Sequence, residues 1–320
     1  MADPTQASRL GRSGVHISKL GLGTAPLGGL YTHVDDDEAA RVVRRALELG
    51  VCHLDTAPAY GHGTAERRVG AGLAGLPRSS FVLGTAVGRL IVPRFGVPKV
   101  LGTGEGHYVD APPSEAVVDL TVDGVRRCLL DSLDRLGLIR VDLVNLEVPL
   151  GQEQVALSQA YPALAELRAQ GVIGAIGLVA GAAATILHLL DRVELDVVQL
   201  TGGYHLLDRS ADVEVLPACR KAGVSVVVGG VFLSGVLARP RPGVLHRGEP
   251  VPHVQVVQAG RMEQICAEHG VPLTAAALQF PLRNPGVTGL LVGPRTVAEL
   301  EESVAMIRWP IPDELWTALG

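Results

Sequence analysis

Aromatic residues make up only 3% of this 320-residue chain, so a pocket walled mainly by rings is not expected. Lysine is scarcer: Lys19, Lys99 and Lys221 are the only three, and chemistry that needs an ammonium group has few places to find one. The four cysteines, Cys52, Cys128, Cys219 and Cys266, stand far apart with no C-x-x-C pair. That argues against a dithiol or zinc-ribbon site and suits buried, reduced thiols. No basic excess exists either: the net charge is -5, which gives no footprint for nucleic acid and no polybasic patch for a membrane surface. The leading MADPTQASRLGRSG lacks an apolar signal core, and no apolar run is long enough to span a bilayer, so the expected location is cytoplasmic. No His, Asp and Glu spacing suggests a metal site.

What is present is ample core material. Apolar residues reach 47% and charged residues 19%, spread without long blocks. Short β-branched runs alternate with amphipathic segments almost end to end. The strands expected are 20–24, 51–55, 81–85, 141–145, 175–179, 196–200, 224–229 and 287–292. Between them lie segments such as DDEAARVVRRALELG (36–50) and TVDGVRRCLLDSLDRLGL (121–138), apolar every three or four positions and ending in or near glycine. Eight strand and helix repeats fit a (β/α)8 TIM barrel of the α/β class, since right-handed crossovers and burial on both faces favour closure. A doubly wound open sheet is the alternative, and residues 1–320 are expected to form one barrel domain. The stretch RLGRSGVHISKLG reads as a hairpin plugging the barrel floor. The Gly- and Pro-rich segment 90–113, too long for an ordinary connection, reads as a lid over the carboxyl-terminal face.

The stretch LDTAPAYGHG (54–63) sends a carboxylate, Asp55, and a phenol, Tyr60, out of the end of a strand together. With LDTAPAYGHGTAE there, and with GTAVGR (84–89), DGVRRCLLDSLDRLGLIRVDLV (123–144), YHLLD (204–208), GGVFLSGVLA (229–238) and LVGPRTVAEL (291–300), the chain resembles the aldo-keto reductase family over essentially its whole length. It looks most like the branch holding bacterial aldose, fucose and pyridoxal dehydrogenases. The resemblance implies a tetrad of Asp, Tyr, Lys and His, in which Tyr protonates a carbonyl oxygen while a nicotinamide hydride attacks carbon. Asp55 and Tyr60 match its first two members. Ala86 stands where the Lys belongs and Asn145 where the His belongs. By the same resemblance Gln199 holds and Tyr204 stacks on the nicotinamide. The loop Gly229 to Gly235, with Val231, Phe232, Ser234 and Gly235, matches the pyrophosphate strap, and Arg295 the 2′-phosphate contact of NADP. Two family asparagines are replaced, by Gly181 and Ser303.

An ordinary tyrosine titrates near about 10, and a neighbouring ammonium would ease proton exchange near neutrality. Ala86 supplies none, and losing such a relay costs about 10² to 10⁴ in rate. Lys19 and Lys221 are expected far from the pocket; only Lys99, in the lid, could reach in, and Arg89 would be a clamp rather than a relay. Asp55, deprived of its cation, needs relief from another cation, from water or from protonation; a pKa raised by desolvation would let it act as a general acid or base with Tyr60. Asn145 can still donate to a substrate oxygen. Glu147 reads as a solvated loop residue and His53 as a packed, hydrogen-bonded one. His62, His107 and His205 are pocket candidates, and Phe95, His107 and Tyr108 are lid contacts.

Three functions stay open. One is non-redox acid/base chemistry, such as dehydration, elimination, isomerisation or cyclisation of an oxygenated metabolite. The alternative is an NADP-dependent oxidoreductase for an aldehyde, ketone or sugar, and the third is a non-catalytic ligand-binding barrel. Each takes a small-molecule partner.

Overall fold

The computed structural model describes residues 3–94 and 108–320. Eight parallel strands close into a barrel: β1 Leu20–Gly23, β2 His53–Asp55, β3 Val82–Val87, β4 Leu143–Glu147, β5 Ala175–Val179, β6 Val197–Leu200, β7 Ser225–Val228 and β8 Val287–Val292. Neighbours pair in chain order, and β8 pairs with β1 to close the ring. The closed α/β barrel expected from the alternation is therefore the fold, and the open sheet is not.

The helices read from periodicity over 36–50 and 121–138 both form. Helix α1, Asp36–Glu48, starts at Asp35, whose side chain accepts from the Asp37 and Glu38 amides, and it buries Ala39, Val42, Val43 and Ala46 against the barrel. Helix α2 runs from Thr64 to Leu73, and helix α3, Val122–Leu136, is capped by the Thr121 hydroxyl and stopped by Gly137 in a left-handed conformation at φ 66°.

The hairpin of Ala7–Arg9 and His16–Ser18 forms as expected. Its Leu10 and Ile17 join Leu143, Ala175, Val197, Val227 and Leu291 in one buried cluster that fills the barrel floor. Ligand space is thereby confined to the carboxyl-terminal end. There, the stems of the long segment after β3 form an antiparallel pair, Arg89–Pro93 with Ser114–Val118. The expectations on Phe95, Lys99 and His107 fall outside the described residues.

Strands β3 and β4 run further toward the carboxyl end than their apolar runs suggest. Pairing of Ala86 with Asn145 and of Val87 with Leu146 carries both strands two residues past the expected ends at 85 and 145, so Ala86, Asn145 and Glu147 stand on regular strand. No helix among the described residues is long and apolar enough to cross a membrane.

Candidate active site

At the carboxyl ends of the strands lies a cavity of about 230 Å³, whose lining includes Asp55, Thr56, Tyr60, Ala86, Asn145, Glu147 and Gln199. Asp55 ends β2 and points into the barrel with 2% exposure. Its partners come from across the barrel. Gln199 of β6 donates from Nε2 to Asp55 Oδ2 at 3.2 Å, and Asn145 of β4 donates from Nδ2 to Gln199 Oε1 at 2.9 Å and to Asp55 Oδ1 at 3.5 Å. Two neutral amides thus clasp one carboxylate. Glycine makes the room: a Cβ on Gly177, beside Asn145 in the β4/β5 register, would sit 2.0 Å from Asn145 Oδ1.

No cation among the described residues contacts Asp55. Burial accordingly pushes its pKa up to about 7, against the pull of the Gln199 hydrogen bond. Of the three reliefs open to Asp55, protonation is the one that burial favours. Ala86 faces inward and is partly exposed, so its methyl borders open space beside the clasp.

Tyr60 sits in the loop between β2 and α2, whose turn is fixed by a close approach to the loop after β1. A Cβ on Gly28 would lie 2.8 Å from the Tyr60 carbonyl carbon, and one on Gly61, at φ 62°, would lie 2.3 Å from Gly28 O. Burial pushes the Tyr60 phenol well above its ordinary value, and the charges of Asp55, Tyr108 and Glu147 push the same way. As it stands the phenol stays protonated near neutrality; it can donate a hydrogen bond but not take up a proton.

The rim is built by contacts the sequence did not disclose. Arg68 of α2 is buried and bonds Asp36 at 2.6 Å, Asp110 at 2.9 Å and the carbonyls of Leu27 and Val34, tying α1, the loop after β1 and the lid stem together. Burial would raise the Asp110 carboxyl, but His33, the Val34 amide and Arg68 outweigh it and hold it below the usual range. This anchor brings Tyr108 to the pocket wall, as expected of a lid contact. An Arg among apolar helix positions was the available signal.

Several expectations need correction. Glu147 is not a solvated loop residue: it ends β4, lines the pocket and pairs with Arg89 at 2.7 Å, because the longer strand carries it inward. His53 is buried, but neither ring nitrogen finds a partner, and burial pushes its pKa down to about 4, which keeps it neutral. His62 lines the pocket and bonds Ser114 at 3.0 Å; His205 is buried and does not line it. Tyr204 does not reach the pocket either. Its ring packs on Phe280, centroids 5.5 Å apart, and lines a separate cleft with Arg209 and Asn284.

The strap region after β7 carries Val231 and Phe232 into a turn in which Leu233 (φ 46°) and Ser234 (φ 54°) are both left-handed, a strained pair of non-glycine residues. Ser234 Oγ bonds His246 Nδ1 at 2.9 Å, Arg247 reaches Thr201 O at 3.2 Å, and the Gly248 amide donates to the Tyr31 hydroxyl at 3.0 Å, so residues 246–248 form a belt over the barrel mouth. Above Gly230 and Gly235 the backbone is open: an added Cβ would meet nothing closer than 3.8 Å. Arg295, after β8, has a buried Nε with no partner. Open glycine backbone and an orphaned guanidinium N–H fit a phosphate-bearing ligand.

Residues 19–319 match the aldo/keto reductase family. The chain belongs to that family. It is 37% identical to D-threo-aldose 1-dehydrogenase of a Pseudomonas species, over 96% of this chain and 94% of that one. Pyridoxal 4-dehydrogenase of Microbacterium luteolum is 35% identical over 97% and 95%. Among solved structures, the holo form of aldo-keto reductase AKR11C1 from Bacillus halodurans superposes with a TM-score of 0.77 at 28% identity, covering 98% of this chain and 95% of that one. The chain is thus a member of an enzyme superfamily whose relatives here are named dehydrogenases. Against the family tetrad it presents Asp55 and Tyr60 in one pocket, with Ala86 and Asn145 beside them.

Proposed function

We propose that the protein is a nicotinamide-dependent oxidoreductase acting on a small hydroxyl- or carbonyl-bearing substrate of the sugar or pyridoxal kind. The observation that carries this is likeness to two dehydrogenases over nearly the full length of both chains. Of the readings the sequence left open, it is better supported than non-redox chemistry. The strap from Val231 to Gly235 and the orphaned Arg295 Nε are the groups that would hold the dinucleotide, with Gln199 at its nicotinamide end. When bound, the dinucleotide supplies the hydride acceptor or donor.

Tyr60 would hydrogen-bond the reacting oxygen. Asn145 would not donate to it as the sequence suggested, because its Nδ2 is engaged by Gln199 and Asp55, but its free Oδ1 would accept from a substrate hydroxyl. At the adenosine end, Glu299 accepts from the Arg295 amide at 2.7 Å. A carboxylate there opposes a 2′-phosphate and narrows any advantage of NADP over NAD.

A second reading, acid/base chemistry without hydride transfer, is favoured by one observation: a carboxyl titrating at about 7 in a pocket whose phenol has no neighbouring cation among the described residues. Calorimetric titration with NAD⁺ and NADP⁺, followed by assay of aldoses and pyridoxal for dinucleotide reduction, separates the two. Micromolar binding with turnover is expected; absence of binding by both dinucleotides would sink the oxidoreductase reading.

A further inference from the structure

Among the described residues, the pocket lining has a surplus of hydrogen-bond acceptors and a deficit of positive charge. Asp55 holds a buried carboxylate clasped only by amides. Asn145 Oδ1, a buried acceptor on a lining residue, has no partner; the buried Thr56 hydroxyl, also in the lining, has none either and can donate or accept. Glu147 adds a second carboxylate, and the Arg89 guanidinium in the lining is engaged with it at 2.7 Å. Beside this set the Ala86 methyl leaves open space. A hydroxyl group cannot balance such a lining, since it brings one donor and two more lone pairs; an ammonium brings three donors, no acceptor and a positive charge. A pocket of one charge sign also concentrates ligands of the other.

We propose that the substrate is a small polyhydroxylated amine, whose protonated amino group occupies the space beside Ala86 and pairs with Asp55. The inference rests on the oxidoreductase reading for its reaction, but not for its binding claim. The substrate's own cation then relieves the uncompensated carboxylate. It also stands near Tyr60, where it favours the phenolate and so makes proton exchange with the reacting oxygen easier. No bond to the amine forms or breaks. Neutral sugars of the same size would leave Asp55 without a cation and Tyr60 slower to exchange its proton.

The test is calorimetric binding at pH 8, with and without NAD⁺, of 1-amino-1-deoxy-D-glucitol against D-glucitol and of 6-amino-6-deoxy-D-glucose against D-glucose. The wild-type protein should bind each amine at least tenfold tighter than its neutral parent. Asp55→Asn should remove that preference, and Ala86→Lys, which places an ammonium in the same space, should reverse it. Equal or weaker amine binding by the wild type would overturn the proposal, as would a preference that survives Asp55→Asn. Should Ala86→Lys fail to fold, the near-isosteric Asp55→Asn decides alone. Failure of the oxidoreductase reading shows separately, as no binding of either dinucleotide while the amine comparison still reads out.

Discussion

Replacing Asp55 with Asn should stabilise the ligand-free protein, and do so increasingly as pH rises. A carboxyl whose titration moves from 3.8 to about 7 on folding holds its proton more tightly in the native state. Its contribution is therefore most favourable below pH 3.8 and is lost progressively as pH climbs to 7. At about 1.4 kcal/mol per pH unit, the carboxyl costs the fold roughly 4 kcal/mol above pH 7, where it is ionised, and roughly 2 kcal/mol at pH 5, where the fold must hold a proton that the unfolded chain releases. Asn avoids this cost, but its amide must face the Gln199 or Asn145 amide, and one lost hydrogen bond offsets about 1 kcal/mol. The mutant's advantage should thus grow by about 2 to 3 kcal/mol between pH 5 and pH 8. Urea denaturation of both proteins at the two pH values measures it, and every other titrating group cancels in the difference. A gap that stays constant with pH would show that Asp55 is already compensated, and the reasoning about the missing ammonium would fail with it.

Three further outcomes follow from the packing around the pocket. Arg135 pairs with the fully buried Glu66 at 2.6 Å, and Glu66 also accepts from Thr85 Oγ1, so Arg135→Ala should cost about 3 to 5 kcal/mol in urea denaturation; a loss below about 1 kcal/mol would refute the pair's role. Gly177→Ala pushes a methyl into Asn145 Oδ1 and should lower kcat/KM by about tenfold or more with dinucleotide affinity unchanged, while unaltered kinetics would show that the Asn145 placement is immaterial. Glu299→Gln should tighten NADP⁺ binding roughly three- to fivefold relative to NAD⁺, and an unchanged ratio would remove Glu299 from cofactor choice.

The sequence by itself determined the barrel. Period-two and period-3.6 patterns, an acidic first turn after Asp35 and glycine at the end of α3 are local signals, and eight repeats of them leave few ways to bury both faces of every strand. It also determined that Asp55 and Tyr60 leave one strand end together and that Ala86 carries no charge. Only the tertiary structure decided what those residues meet. The clasp of Asn145 and Gln199 on Asp55 joins positions 90 and 144 residues apart, set by barrel register. Glu147 turned inward because pairing lengthened its strand, and Tyr204 turned outward because Phe280 offered it a packing surface. The His53 ring was left without partners because apolar side chains and glycine backbone pack against it. Side-chain environment depends on contacts distant along the chain, and no local pattern encodes them.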